Sequence, residues 1–236
     1  MRTAHNRKVV KSVNETIINR CLFDPNERIL VGISGGKDSL ALLDCLSSIG
    51  CKNLHSIHIR IDHSSPLPFE SFCADRSEFT VLDTDILSRV QGSSRRNICY
   101  MCSREKRKAL CNYAVDRGFS RIALAHHRDD VIETLLLNLI FQREISTMLP
   151  AQALFDGKLE IVRPLYDTPE KDIRRYAKEE RLPVSDWKCG FEKDSRRAWV
   201  KQQIKEWQRA FPRDKIPDNL FSALHNVNPD FLPRKP

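Results

Sequence analysis

The apolar residues of this chain form two kinds of pattern that alternate along its length. Short runs of aliphatic and β-branched residues predict five strands, at about 28–33, 54–61, 79–82, 121–125 and 159–162. Apolar positions at helical spacing predict helices around them, at about 6–23, 39–48, 103–116, 129–142 and from Thr168 onward. The segment 83–98 is polar and basic, and its composition predicts a loop or a weak helix.

Strands that alternate with helices predict βαβ units and a parallel sheet. The expected fold is therefore α/β, a doubly wound parallel five-stranded sheet with a small helical C-terminal part. Ligands of such sheets bind just beyond the carboxyl ends of the strands. Three polar segments fall at these ends, namely Ser34–Ser39, Asp62 and His126–Asp130. The pattern thus predicts one binding site at this edge of the sheet.

The first polar segment reads Ser34, Gly35, Gly36, Lys37, Asp38, Ser39. Because it separates a strand from a helix, its backbone N–H groups and the helix N-terminus are suited to an anion such as phosphate. The two glycines permit positive φ and a close approach of the backbone to the ligand. In the Walker motif the lysine is followed directly by Ser or Thr, which is not the order here. An aspartate in a phosphate site suggests that a metal ion is also bound.

The second segment, His126–Asp130, is followed by Glu133 and Thr134. Asp130, Glu133 and Thr134 are three and four residues apart, so they share one face of a helix. Carboxylates on that face could hold Mg²⁺ against phosphates. Acidic residues favoured by the helix dipole are the alternative explanation of the same pattern.

The role expected of the cysteines depends on the cellular compartment of the protein. The N-terminus lacks the apolar core of a secretory signal, and the longest apolar stretch, about 135–141, is too short to span a bilayer. We therefore expect a cytoplasmic protein without a membrane contact, where structural disulfides are rare. Cys99 and Cys102 form a Cys-x-x-Cys pair just before the helix predicted at 103–116, and Cys189 stands alone in a basic segment. From spacing alone, an iron–sulfur cluster, a zinc site, and a redox pair or chance are equally supported.

Five motifs along the chain occur in a recognisable order. They are Ser-Gly-Gly-Lys-Asp-Ser, Cys-x-x-Cys-Ser-Arg, His-His-Arg-Asp-Asp, Ile-Val-Arg-Pro-Leu and a late Cys-Gly. Together they resemble the tRNA 2-thiocytidine synthetase family, iron–sulfur tRNA thiolases of the ATP-pyrophosphatase superfamily with an adenine nucleotide alpha-hydrolase-like fold. The resemblance runs from about residue 8 to residue 232. Two features depart from the family: the segment between Asp62 and Phe79 is short, and Asp186 replaces the first cysteine of the late pair.

The resemblance implies an ATP-dependent tRNA sulfurtransferase. Such an enzyme would convert a cytidine of the anticodon loop, expected at position 32, to 2-thiocytidine through an adenylated base and sulfide on a 4Fe-4S cluster. The implied partners are tRNA, a sulfur donor such as a cysteine desulfurase, and a second copy in a homodimer. The implied cofactors are ATP, Mg²⁺ and the cluster.

The resemblance also implies roles for individual residues. Cys99, Cys102 and Cys189 would hold the cluster. Catalytic roles are expected for Lys37, Asp38 and Asp130, and the two aspartates could hold Mg²⁺. ATP contacts are expected from Ser34, Gly35, Gly36, Lys37, Asp38, Ser39, Asp62 and His126.

The C-terminal part of the chain is basic. We expect a nucleotide-binding α/β domain with an N-terminal helix over 1–168 and a helical extension over 169–236 that carries Cys189, although both could belong to one domain. Between residues 171 and 213 there are 13 Lys and Arg against 7 Asp and Glu, a local net charge of +6. Such an excess suits a polyanion, and we expect an RNA-facing surface that includes Arg196, Arg197, Lys201 and Lys205.

Three other functions compete with this interpretation. The first is a thiolase with the same cluster that acts on another tRNA pyrimidine. The second is an ATP-pyrophosphatase of the lysidine or amidation kind, for which the three cysteines would be dispensable. The third is non-enzymatic, a zinc-stabilised RNA-binding protein without ATP turnover.

Overall fold

The computed structural model describes residues 2–63, 66–91, 95–186 and 196–232, without the side chains of residues 91, 95–97 and 99. The described strands are β1 Ile29–Ile33, β2 Leu54–Arg60, β3 Glu78–Asp83, β4 Arg121–Ala123, β5 Ala151–Leu154 and β6 Leu159–Val162. The described helices are α1 Ala4–Asn19, α2 Lys37–Ile49, α3 Glu70–Ala74, α4 Ile86–Gln91, α5 Arg95–Asp116, α6 Arg128–Leu137, α7 Glu170–Glu179, α8 Arg196–Ala210 and α9 Ile216–Ala223. A π-helical turn, Asn138–Gln142, continues α6.

The six described strands form one sheet in the order β3-β2-β1-β4-β6-β5. All neighbouring pairs are parallel except β5 and β6, which are antiparallel. The predicted α/β fold with its five parallel strands is confirmed, but the strand count is wrong by one. The additional strand, β5, is a four-residue edge strand without a buried residue, and its sequence, Ala-Gln-Ala-Leu, carries almost no apolar signal.

The side chains of β1 show how helices cover both faces of the sheet. Ile29, Val31 and Ile33 belong to one core cluster with residues of α1, α2 and α7. Leu30 belongs to a second cluster that includes Leu110 of α5. Because successive side chains of a strand point to opposite faces, β1 is buried on both sides, as expected for a central strand of a doubly wound sheet.

The helix before β4 begins earlier than predicted. A loop or weak helix was expected over 83–98, and the short helix α4 from Ile86 agrees with the second alternative, but α5 begins at Arg95 and not at about residue 103. Ile86, Val90 and Ile98 are buried together with Ile61, so these few apolar side chains hold a segment that is mostly polar. The consequence for the site is that the Cys-x-x-Cys pair lies inside α5 and not before a helix.

Asp44 of α2 is a buried polar residue that joins this helix to α7 and to two arginines that lie outside the helices. Its carboxylate accepts hydrogen bonds from Tyr176 of α7 and from Arg2 and Arg76, at 2.6–2.7 Å. Burial alone would raise the pKa of Asp44, but the hydrogen bonds from Tyr176 and Arg76 and the charges of both arginines outweigh it and lower the pKa. Asp44 is therefore a carboxylate, and in this charged form it holds α2 in place. The first turn of α2 is part of the candidate site.

The contacts within the described chain divide it into two compact units. The first contains residues up to 127 and from 149 to 192, and the second contains 128–148 and the residues from 193 onward. The domain boundary expected at residue 168 stays a prediction; α7, which follows it, packs against α1 and α2 of the first unit. None of the described helices is both long enough and apolar enough to cross a lipid bilayer.

Candidate active site

The loop Ser34–Gly36 joins the carboxyl end of β1 to the first turn of α2, as predicted. Gly35 has a φ of +81°, in the left-handed region that favours glycine. A Cβ atom on Gly35 would come within 2.6 Å of the Phe69 ring. The Gly35 carbonyl accepts a hydrogen bond from the backbone N–H of Ser185 at 3.0 Å. Both the conformation and the packing of this position therefore require glycine.

Two serine hydroxyls close the loop. The N–H of Ser34 donates to Ser39 Oγ at 3.1 Å, and the N–H of Gly36 donates to Ser34 Oγ at 3.2 Å. The hydroxyl oxygens lie 3.1 Å apart, and Ser39 Oγ donates to the Gly36 carbonyl at 3.0 Å. The predicted residues of the loop thus form one hydrogen-bonded unit.

Lys37 lies between two carboxylates at the start of α2. Its Nζ is 2.8 and 2.9 Å from the two oxygens of Asp38 and 3.1 Å from Oε1 of Glu170, the first residue of α7. Nε2 of the buried His127 lies 3.9 Å from Oδ1 of Asp38. The structure therefore brings the predicted pair Lys37 and Asp38 together with His127, which lies in the predicted polar segment 126–130. Glu170 was not assigned to the site from the sequence.

Glu170 competes with any phosphate that binds Lys37. We expect Glu170→Gln to strengthen ATP binding about 2- to 5-fold, as for loss of a partly exposed ion pair worth up to about 1 kcal/mol. Calorimetric titration of the whole chain with ATP measures the change. Glu179→Gln is the matched control, because this acid lies on the same helix but pairs with Arg175. Weaker ATP binding by Glu170→Gln would show instead that Glu170 orients the lysine.

A cavity of about 220 Å³ opens beside the loop, at the carboxyl ends of β1, β2 and β4. Its walls combine apolar and basic groups: Gly32, Ile33, Ser34, Ile57, His58, Ile59, Ser103, Lys106, Arg107, Leu110, Leu124 and His126. Nδ1–H of His58 donates to the Ile33 carbonyl at 2.9 Å. Burial lowers the pKa of His58, so its ring is neutral. Apolar walls with a few fixed polar groups are typical of a small-molecule site.

Several cavity residues were missed by the sequence analysis. Lys106 lies four residues after Cys102 on α5, and this spacing is the signal that could have placed it on the same helix face.

His126, which was predicted, does line the cavity. Its Nδ1 lies 3.3 Å from Nε of Arg163. Burial and the charge of Arg107 lower the pKa of Arg163 to about 10, so Arg163 remains charged at neutral pH.

Asp62 was expected to contact ATP. It follows β2 by two residues and is half-buried. Among the described residues it is not part of the cavity wall. Its role in nucleotide binding therefore stays a prediction.

The cysteine motif lies on the helix that forms one wall of the cavity. Cys102 is half-buried and packs against the cluster of Ile61, Ile86, Val90 and Ile98. Cys99 belongs to the preceding turn of α5, and its side chain lies outside the described part, as does all of Cys189. Within the described residues no group of three His, Cys, Asp or Glu side chains could hold a metal ion. The described part thus contains one of the three expected cluster ligands, and its half-exposed thiol is compatible with that role.

Four other cysteines are buried: Cys45, Cys51, Cys73 and Cys111. Burial raises the pKa of Cys45 and of Cys73 to about 12 and that of Cys51 to about 11. These thiols stay protonated at neutral pH and behave as small apolar residues.

The second unit holds Asp130 and the basic residues of α8. Arg197 lies 3.4 Å from Oδ1 of Asp130 and 3.7 Å from the buried Glu133, and its Nη2 donates to Thr134 Oγ1 at 3.0 Å. Lys201 lies 3.8 Å from Glu133. The predicted acidic helix face therefore exists, and two of the expected RNA-binding cations are paired with it.

The other two expected RNA-binding residues face solvent. Arg196 and Lys205 are exposed. The guanidinium of Arg196 lies 4.7 Å from the centre of the Phe141 ring, which Trp199 contacts edge-on. Phe141 is half-buried, whereas Trp199 is exposed. Basic residues and exposed aromatic rings are the groups that proteins use to bind phosphates and to stack on RNA bases.

Comparisons with known proteins agree with this geometry. The model of a family described as PP-loop domain matches residues 1–207. A tRNA-cytidine(32) 2-sulfurtransferase from Nitrosospira multiformis is 34% identical over 96% of this chain and 79% of the relative. A protein of the same name from Tolumonas auensis is 31% identical over 96% of this chain and 78% of the relative.

Solved structures show the same fold. A U34-tRNA thiolase from Methanococcus maripaludis, solved with its 4Fe-4S cluster, superposes with a TM-score of 0.70 over 95% of this chain and 81% of that protein, at 18% identity. An NH3-dependent NAD synthetase from Campylobacter jejuni gives a TM-score of 0.52 over 96% and 87%, at 13% identity. The fold is thus shared with enzymes of different activities. From the family model and the relatives together, the chain belongs to the PP-loop domain family and, within it, to the family of the tRNA-cytidine(32) 2-sulfurtransferases.

Proposed function

We propose that this chain is a transferase that uses ATP to thiolate a cytidine of tRNA, expected at position 32 of the anticodon loop. The observation that carries the proposal is the position of α5. Ser103, Lys106 and Arg107 of this helix line the cavity beside the loop 34–36, which we call the phosphate loop. Cys102 directly precedes Ser103 on the same helix. The same helix thus lines the proposed nucleotide cavity and carries the cysteine motif. This arrangement suits a reaction in which a base activated by ATP is attacked by sulfur.

ATP is proposed to bind with its phosphates at the N-terminus of α2 and its base in the neighbouring cavity. Loop N–H groups and the helix dipole would stabilise the phosphate charge. Lys37 would exchange its contacts with Asp38 and Glu170 for phosphate oxygens. Asp38 and Asp130 would hold Mg²⁺, which neutralises charge on the departing pyrophosphate when it is bound.

The reaction proceeds in two displacements. The O2 atom of the cytidine attacks the α-phosphorus of ATP, forming an O–P bond as pyrophosphate leaves. Sulfide then attacks C2, and the C2–O bond breaks as AMP leaves, so that a C2–S bond replaces the C2–O bond. Lys37 stabilises the negative charge that develops on the phosphates in the first displacement. A 4Fe-4S cluster on Cys99, Cys102 and Cys189 would supply bound sulfide. A donor such as a cysteine desulfurase would deliver this sulfur as a persulfide, and a two-electron reductant such as a thiol pair would reduce it to sulfide.

The tRNA is proposed to bind by electrostatic attraction first. Arg196 and Lys205 are exposed and available to phosphates, whereas Arg197 and Lys201 are paired with Asp130 and Glu133. A contribution of Arg197 and Lys201 to RNA binding would require exchange of these pairs. We further propose a homodimer in the cytoplasm.

The product of the reaction tests this function directly. The chain is purified without oxygen, supplied with iron and sulfide, and incubated with ATP, Mg²⁺ and unmodified tRNA. Mass analysis of the nucleosides is expected to show 2-thiocytidine, with one AMP and one pyrophosphate per modified base. A thiolated uridine would indicate another thiolase, and adenylation without sulfur would indicate a lysidine-type enzyme. Bound zinc without ATP turnover would contradict the enzymatic proposal altogether.

A further inference from the structure

Arg163 is a buried arginine whose hydrogen-bond acceptors within the described residues are all neutral. It follows β6 and is only 5% exposed. Its Nη1 donates to the Leu149 carbonyl, and its Nη2 donates to Oε1 of Gln152 at 3.2 Å. Its Nε donates to Nδ1 of His126 at 3.3 Å. Burying a cation beside neutral acceptors is costly, so stability alone does not explain this residue.

The contact with Arg163 determines the protonation of His126. All guanidinium nitrogens are donors and none can accept, so Nδ1 of His126 must be unprotonated and accept the hydrogen bond. A neutral imidazole with a bare Nδ1 carries its proton on Nε2. Adding a proton to Nδ1 would remove the acceptor and bring two cations together. While Arg163 is in place, His126 is therefore a neutral ring that can donate only through Nε2.

We propose that Arg163 is a positioning residue of the nucleotide site, which holds His126 in the Nε2–H tautomer so that this ring donates a hydrogen bond to nucleotide in the cavity. His126 lines the cavity together with Ser34 of the phosphate loop and Lys106 of α5. The role assigned to His126 is a fixed hydrogen-bond donor and not a general acid or base. The identity of the ligand as ATP rests on the proposed function; the tautomer of His126 does not.

The shape of arginine is essential to this role. Three guanidinium nitrogens are held by three acceptors, and this fixes the direction of Nε toward His126. Lysine would keep the buried positive charge but has one nitrogen in place of three. Arg163→Lys therefore separates positioning from a purely electrostatic contribution to nucleotide binding.

The first test reads the tautomer in the whole wild-type chain and needs neither ligand nor activity. Nitrogen-15 NMR of histidine-labelled protein distinguishes a bare ring nitrogen from a protonated one, and His126→Asn identifies the signals of His126. We expect a bare Nδ1 and a protonated Nε2. A protonated Nδ1, a doubly protonated ring or averaging between tautomers would overturn the proposal.

The second test measures ATP affinity by calorimetry. Arg163→Lys and His126→Ala are each expected to weaken binding about 2- to 12-fold, the range for one hydrogen bond. In the double variant the arginine change should have no further effect, because it acts through His126. Arg121→Lys is the control, since Arg121 pairs with Glu27 and Glu160 and is not part of the cavity wall.

Two outcomes of the affinity test contradict the proposal. Wild-type affinity in Arg163→Lys would mean that only the charge matters. An equal loss on a His126→Ala background would mean that Arg163 acts independently of the histidine. If the wild-type chain binds no ATP, the proposed function fails, whereas the NMR measurement still decides the tautomer.

Discussion

Cys102→Ala is expected to abolish formation of 2-thiocytidine while ATP binding stays within about twofold of the wild type. Removing outer-shell partners of a metal site alone costs about 10- to 100-fold, so loss of a ligand of the cluster should cost more than about 100-fold. Cys102 is not among the residues that line the nucleotide cavity, which is why ATP affinity should survive. Iron and sulfide analysis, nucleoside mass analysis and calorimetry with ATP measure the three quantities on one preparation.

Cys111→Ala is the matched control for this variant. Cys111 lies on the same helix, α5, but its thiol is buried in the core cluster with Leu110, Ala114 and Phe119. We expect about four irons per chain and normal thiolation in this control, as the 4Fe-4S assignment requires. Retention of iron and thiolation by Cys102→Ala would remove Cys102 from the ligand set of the cluster.

Gly35→Ala is expected to lower ATP-dependent activity about 100-fold, the effect of a displacement of about 1 Å in a reacting group. An added Cβ would lie 2.6 Å from the Phe69 ring, and the φ of +81° would be strained in alanine. Strain of about 1 kcal/mol and overpacking of about 1–3 kcal/mol together predict a loss of about 2–4 kcal/mol in the free energy of unfolding. Denaturant titration and steady-state kinetics with ATP measure the two effects.

Gly50→Ala separates backbone strain from damage to the site. Gly50 ends α2 with a φ of +96°, and a Cβ there would meet no heavy atom within 4 Å. This variant should lose about 1 kcal/mol of stability from strain alone and keep wild-type activity. If both variants lost the same stability and Gly35→Ala kept its activity, the contact with Phe69 would be irrelevant to the loop.

Local signals in the sequence predicted most of the fold and the centre of the site. The strands of the parallel core are short aliphatic runs. The segment from Ser34 to Ser39 contains both the glycines that form the turn and the polar side chains of the candidate phosphate site within six consecutive residues. Such features depend on near neighbours, so they can be read from one sequence. The strand β5 was missed because Ala151–Leu154 is short, half exposed and paired on one side only.

The missed parts of the site depend on contacts between distant segments. Glu170 is 133 residues from Lys37, and Arg163 is 37 residues from His126. No periodicity connects such pairs; the order of the strands in the sheet brings them together. The start of α5 was missed for a different reason, because the sequence there begins with three polar residues and its apolar signal is limited to Ile98, which is buried. That error placed the cysteine pair before a helix and not within one.

The serine hydroxyls of the loop have a consequence for the thermodynamics of nucleotide binding. Ser34 and Ser39 accept hydrogen bonds from loop N–H groups in the same way that phosphate oxygens would. The free loop is therefore preorganised, and ATP replaces existing acceptors without having to order the backbone. Binding should lose little conformational entropy, and the affinity should be set by the exchange of one kind of oxygen for another.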